Sequence, residues 1–204
     1  MKFVKILVTL ILLNVSGFAI NIKYFSSVGI GHCNWKVKGT VINNTTKSTS
    51  EYEIKNNTWL QELQLGIILD KHHKAYFSYA HINSSNNSSS NLFGVNYDYL
   101  FNYNNLILFI GVSYYFFKYK ETLKDEDGII WDKNKGVLNS KSLSLRLGGG
   151  YKFDRHNSIN IQYDHSISNS GNGLVGFTYN GIHYNENIEI ENLSKFSLIY
   201  NYSF

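Results

Sequence analysis

Eight stretches of this chain alternate apolar and polar residues with period two, and that pattern restricts the fold more than any other feature of its 204 residues. Successive side chains of an extended strand point to opposite faces, so strict alternation describes a strand with one apolar and one polar side. The clearest case is 140–153, where Lys141, Leu143, Leu145, Leu147, Gly149, Tyr151 and Phe153 alternate with Ser142, Ser144, Arg146, Gly148, Gly150 and Lys152. In 59–69, Leu63, Leu65, Ile67 and Leu69 oppose Glu62, Gln64 and Gly66; in 92–101, Phe93, Val95, Tyr97, Tyr99 and Phe101 oppose Gly94, Asn96 and Asp98. Residues 158–167 set Ile159, Ile161, Tyr163, His165 and Ile167 against Asn160, Gln162, Asp164 and Ser166. The stretch 106–119 is apolar on both faces for much of its length, 24–37 and 75–82 are weaker, and 193–204 completes the eight.

Composition removes the competing classes. A single cysteine leaves no disulfide framework and no multi-cysteine metal centre. The 16 Tyr, 13 Phe and 3 Trp exclude a disordered chain, and a formal charge of +4 is too small to indicate a nucleic-acid partner. Beyond the first residues no apolar run approaches the roughly 20 that a membrane helix requires. Those first residues read as an export signal: Lys2 and Lys5 are basic, 6–15 is apolar, and Gly17-Phe18-Ala19 places small residues where a signal peptidase cuts. The expected division is therefore a signal peptide at 1–19 and one domain at 20–204. Cys33 lies too far along to carry a lipid and is expected as a small buried or lumen-facing residue.

The connections alternate as well. Segments 38–58, 83–91, 120–139 and 168–192 are long and polar, while 70–74, 102–105 and 154–157 are short. Long and short connections at opposite ends characterise a transmembrane β-barrel, with short periplasmic turns and longer extracellular loops. The expected fold is all-β: an eight-stranded antiparallel up-and-down barrel whose apolar faces meet lipid. Its lumen then holds Glu62, Gln64, Asn96, Asp98, Arg146, Lys152, Asn160, Gln162, Asp164 and Lys195. Eight strands enclose a space that side chains can fill, and buried charges must pair. Arg146, Lys152 and Lys195 are accordingly expected to be compensated by Glu62, Asp98 and Asp164, which gives a plugged polar core; a narrow conducting path is the alternative.

In the final stretch Phe196, Leu198, Tyr200, Tyr202 and Phe204 alternate with Lys195, Ser197, Asn201 and Ser203. An alternating strand that ends on an aromatic resembles the signal read by the outer-membrane assembly machinery. Leu147-Gly148-Gly149-Gly150-Tyr151-Lys152-Phe153, a short polar turn and Ile159-Asn160-Ile161-Gln162-Tyr163 resemble the penultimate hairpin of the small eight-stranded outer-membrane barrels, the OmpA, OmpX and opacity-protein group. That resemblance implies export through the general secretory route to a bacterial outer membrane. It also implies a structural or surface-interaction role through the extracellular loops, with no cofactor. The implied partners are outer-membrane lipid and lipopolysaccharide, the assembly machinery, and a host or cell-surface ligand.

Several side chains are candidates for chemistry. Lys36, Lys38, Lys118, Lys120 and Lys141 fall near the outer strand ends, where cations gain energy beside lipopolysaccharide phosphates. The segment Tyr163-Asp164-His165-Ser166-Ile167-Ser168-Asn169 resembles the motif of lipid A deacylase barrels, which use a His, a Ser two residues later and a downstream carboxylate. Here Ile167 occupies the serine position. A bulge near Ser168 is needed to bring Ser166 or Ser168 to His165, with Glu186 or Glu189 orienting the imidazole. A lipid A deacylase is therefore the alternative function, and a narrow minor porin a further one. His72 and His73, adjacent in a short turn, have no third metal ligand nearby. Glu121, Asp125, Glu126 and Asp127 do not follow an EF-hand spacing and are expected in a solvated loop.

Overall fold

A computed structural model describes residues 21–83, 88–122, 129–132 and 135–204. The expected signal peptide at 1–19 and the acidic residues Asp125, Glu126 and Asp127 lie outside the described residues. The described residues form ten strands: β1 (Ile22–Asn43), β2 (Thr49–Leu69), β3 (His73–Ile82), β4 (Ser88–Tyr103), β5 (Leu106–Thr122), β6 (Ile129–Trp131), β7 (Lys135–Lys152), β8 (Asn157–Ser170), β9 (Asn172–Tyr179) and β10 (Ile182–Ser203). Eight of them form an antiparallel sheet in the order β1-β2-β3-β4-β5-β7-β8-β10, and β10 pairs back onto β1 from Phe25↔Ser203 outward. Closure removes both sheet edges, which is what lets a sheet stand in lipid with every backbone polar group paired.

The short turns share one end. Asp70 and Lys71 both take positive φ (49° and 67°), the two-residue geometry that matches hairpin twist, and Asn104 takes φ 52° in the next turn. At the third, Asp154 accepts the backbone N–H groups of His156 and Asn157 at 2.7 and 2.9 Å. The backbone bond from His156 holds the Asp154 carboxyl below the usual aspartate range, reinforced by the Asn157 side chain.

The outward face is apolar and solvent-accessible to a degree no water-soluble surface tolerates: Leu65 is 62% exposed, Leu108 63% and Leu147 57%. On β5 the outward apolar row runs from Leu106 to Phe116, 11 residues against the roughly 9–11 that a tilted strand needs to cross a bilayer. Aromatic pairs bound the band. Tyr99–Phe101, Tyr151–Phe153 and Tyr202–Phe204 lie at the short-turn end, and His32–Trp59, Tyr79–Phe93 and Tyr114–Phe116 at the other. Amphipathic rings concentrate at both interfaces of membrane barrels for this reason.

Three segments expected as loops are largely β-structure. β1 and β2 continue through most of 38–58, pairing as far as Ile42↔Thr49. The segment 168–192 contains the hairpin β9–β10, whose Asn180-Gly181 turn has φ of 49° and 77°, and 120–139 contains β6, which pairs with β9. The barrel thus carries a sheet, β2-β1-β10-β9-β6, beyond the apolar band. From Trp35 to Asn43, β1 alone supplies nine residues, or about 30 Å of strand.

Candidate functional site

The strand register builds the centre of the lumen. Lys74 on β3 stands opposite Asp98 on β4, Asp98 opposite Gly111 on β5, Gly111 opposite Arg146 on β7, Arg146 opposite Asp164 on β8, and Asp164 opposite Lys195 on β10. One row of directly paired positions therefore circles most of the barrel with charges that alternate in sign. Gly111 leaves room for it, since a Cβ there would sit 2.1 Å from Asp98 Oδ1.

Arg146 is fully buried and every guanidinium nitrogen has a partner. Nε donates to Asp164 Oδ1 at 2.8 Å, and Nη2 lies 2.7 Å from the same oxygen. Nη2 also donates to Asn96 Oδ1 at 3.0 Å and to the Tyr115 hydroxyl, while Nη1 donates to the Tyr76 hydroxyl and lies 3.4 Å from Asp98 Oδ1. Across the lumen Lys195 Nζ donates to Glu62 Oε1 at 2.8 Å and sits 3.6 Å from Asp164 Oδ2. Gln64 and Ser197 complete the Glu62 shell at 3.1 and 3.3 Å.

Lys152 does not belong to this group. It lies at the short-turn rim, where Nζ donates to Asn102 Oδ1 at 2.6 Å. The third buried lumen cation is Lys74, which sequence reasoning assigned to a turn. Three cations (Lys74, Arg146, Lys195) thus share the lumen with three carboxylates (Glu62, Asp98, Asp164).

The lumen is also not polar throughout. Beyond the ion-pair row, toward the long-loop end, Cys33, Trp35, Leu60, Ile82, Leu92 and Phe117 pack together with Leu138, Ile190 and Leu193. The Trp35 and Phe117 rings are 5.6 Å apart. Inward side chains from opposite walls meet here, so a second, apolar layer stands above the charged one.

The five lysines expected at the outer rim separate into two sets. Lys36 Nζ lies 2.6 Å from Glu53 and 3.8 Å from Glu191, and Lys38 lies 3.5 Å from Glu51, so these two serve the projecting sheet. Glu53 holds the Lys36 ammonium above the usual lysine range, and the same hydrogen bond keeps Glu53 below the usual glutamate range. Lys118, Lys120 and Lys141 are exposed on neighbouring strands β5 and β7 beside Phe116, with no carboxylate within 4.0 Å among the described residues.

The register shift between Leu143 and Ser144 makes Ile167 an extra residue on β8. His165 therefore stands opposite Leu145 and Ser168 opposite Leu143, both outward, while Ser166 points inward. Across the other side of β8, His165 pairs with Ser194. No hydrogen bond joins His165 to a hydroxyl or carboxylate among the described residues; its ring stacks at 6.3 Å on Tyr163. Glu186 is buried in the projecting sheet, where it accepts the Tyr52 hydroxyl, and Glu189 pairs across to Lys38 on β1. Ser168 and Glu189 line one pocket, but His165 is not among its lining residues, so the serine, imidazole and carboxylate of a hydrolytic site are not joined. Of the residues expected as an assembly signal, Phe196, Leu198, Tyr200 and Tyr202 form the outward row of β10, and Phe204 follows its last residue, also exposed.

No protein family and no curated protein matches the chain in sequence. Solved structures do match in shape. Neisserial surface protein A is 8% identical with a TM-score of 0.54, over 90% of this chain and 99% of that one. The outer membrane protein OprG from Pseudomonas aeruginosa is 10% identical with a TM-score of 0.54, over 89% of this chain and 96% of that one. The fold is that of the small outer-membrane barrels. At such identities the likeness rests on strand number, closure and face polarity, all of which a wide range of side chains satisfies.

Proposed function

We propose that this chain is a non-enzymatic barrel of the bacterial outer membrane that conducts no solute and works at its outer rim. The observation that carries this reading is the double filling of the lumen, an ion-pair row with a fully buried Arg146 beneath an apolar layer around Trp35 and Phe117. With the interior occupied, the surface available for function is the projecting sheet and the lipid interface below it. On that sheet Ile54, Ile130 and Leu174 are exposed outside the membrane band, the last by 72%, as apolar positions at a binding surface are. Below it, Lys118, Lys120 and Lys141 face the height of the outer-leaflet headgroups, where each cation near an anionic surface contributes about 1 kcal/mol.

Lipopolysaccharide contact is tested by unfolding the barrel in phosphatidylcholine vesicles with and without added lipopolysaccharide. Lipopolysaccharide is expected to raise the unfolding midpoint, and replacing Lys118, Lys120 and Lys141 together by Gln is expected to remove most of that gain. An undiminished gain in the triple variant contradicts the assignment. Lipid A from cells with and without the chain is expected to give identical mass spectra. Loss of one acyl chain, abolished by His165→Ala, would replace the binding reading with the deacylase one.

A further inference from the structure

The short-turn mouth of the lumen is closed from above by the ion-pair row and holds a cavity of about 310 Å³. Its charge is one-sided. Lys23, Lys71, Lys74, Lys152 and Arg155 line it against one carboxylate, Asp154, which is already engaged by the N–H groups of its own turn. At the floor, Lys74 is 6% exposed and has no carboxylate within 4.0 Å among the described residues; Asp98, opposite it in register, is turned to Arg146. Lys74 Nζ instead lies 3.3 Å from Asn201 Oδ1 and 4.3 and 4.7 Å above the Phe25 and Tyr76 rings. A buried ammonium held this way has donors to spare, because Lys carries three and these contacts use one as a hydrogen bond.

Two further buried groups line the same cavity. Asn201 is 4% exposed and its Oδ1 takes both Ser27 and Lys74, leaving Nδ2 without a partner. Asn160 is buried beside it with Oδ1 unpartnered. Buried polar atoms are rarely left unmet, and here the unmet set is an ammonium, an amide N–H and a single acceptor. An oxyanion satisfies the two donors, and the acceptor requires that the oxyanion carry a proton of its own. Inorganic hydrogen phosphate has that P–OH near neutral pH; sulfate and phosphate diesters do not, and a phosphate monoester, with a second pKa of about 6, is mostly the dianion without it.

We propose that the periplasmic mouth of this barrel is a binding site for inorganic hydrogen phosphate, held by Lys74, Asn201 and Asn160 at the floor and by Lys152 and its basic neighbours at the rim. The site is independent of what the outer rim binds.

The test is titration calorimetry of the full barrel in phosphatidylcholine vesicles and chloride buffer, with inorganic phosphate and then sulfate. Saturable phosphate binding is expected, with sulfate weaker by roughly tenfold, the effect of leaving one buried acceptor unmet. Lys74→Met and, separately, the rim variant Lys152→Gln are each expected to weaken phosphate binding, the first by roughly tenfold or more as a charge-assisted hydrogen bond is lost. Folding of each variant is checked by its gel mobility before and after boiling. Absence of saturable binding by the unaltered barrel, or binding undiminished in both variants, overturns the site. Vesicles containing phosphatidylglycerol are expected to leave phosphate binding unchanged; competition by that lipid would overturn hydrogen phosphate in favour of a headgroup diester.

Discussion

Arg146→Ala is expected to lower the unfolding free energy of the barrel by about 3–5 kcal/mol, the cost of removing one partner from a buried ion pair. The loss comes from what stays behind. Asp164 and Asp98 would lose the cation that compensates them, and Asn96 and Tyr115 would each lose a partner. Arg146→Lys is expected to recover part of the loss, because an ammonium restores charge but not the fork that reaches several acceptors at once. Urea unfolding in vesicles, followed by tryptophan fluorescence, measures both. A change below about 1 kcal/mol for the alanine variant, the scale of an exposed pair, would show that Arg146 is solvated.

Leu147→Arg is expected to cost about 2–4 kcal/mol, the penalty for a cation near the midplane of a barrel's lipid face. Leu147 is outward on β7, between Ile110 and Tyr163, near the middle of the apolar band. The same change at Leu174 is expected to stay within about 0.5 kcal/mol, as for an ordinary surface site. Leu174 is a 72% exposed leucine on β9, so its position outside the band is the main difference between the two sites. Equal penalties at both would mean that the projecting sheet also lies in lipid.

The closed barrel and its inverted faces were legible in the sequence because alternation with strong contrast reports both strand and face. It placed Glu62, Asp98, Arg146, Asp164 and Lys195 on one side of their strands. It could not place them beside one another, because register depends on where each turn begins, and a shift of one residue moves a whole strand to the other face. Lys74 is hard to place for a related reason: β3 begins at His73, two residues before the alternation shows, and a buried lysine at a strand start looks like turn composition. The apolar layer was hidden because inward Leu60, Leu92 and Phe117 remove the contrast on which alternation depends. On β5, inward Tyr115 and Phe117 belong to that layer, while inward Ile107 and Phe109 pack with Leu100 at the short-turn end. The β9–β10 hairpin has a local signal, Asn180-Gly181 between alternating residues, masked by a segment rich in Ser and Asn. The bulge at Ile167 is a property of the β7–β8 pairing and leaves no composition signal in β8 alone.

The central claim, a lumen filled at two levels, is tested most directly by single-channel recording in planar bilayers. The barrel as it exists is expected to insert without steady conductance, because a fully buried Arg146 and the layer around Trp35 and Phe117 leave no continuous water path. Stable, voltage-independent openings by the unaltered barrel would contradict it.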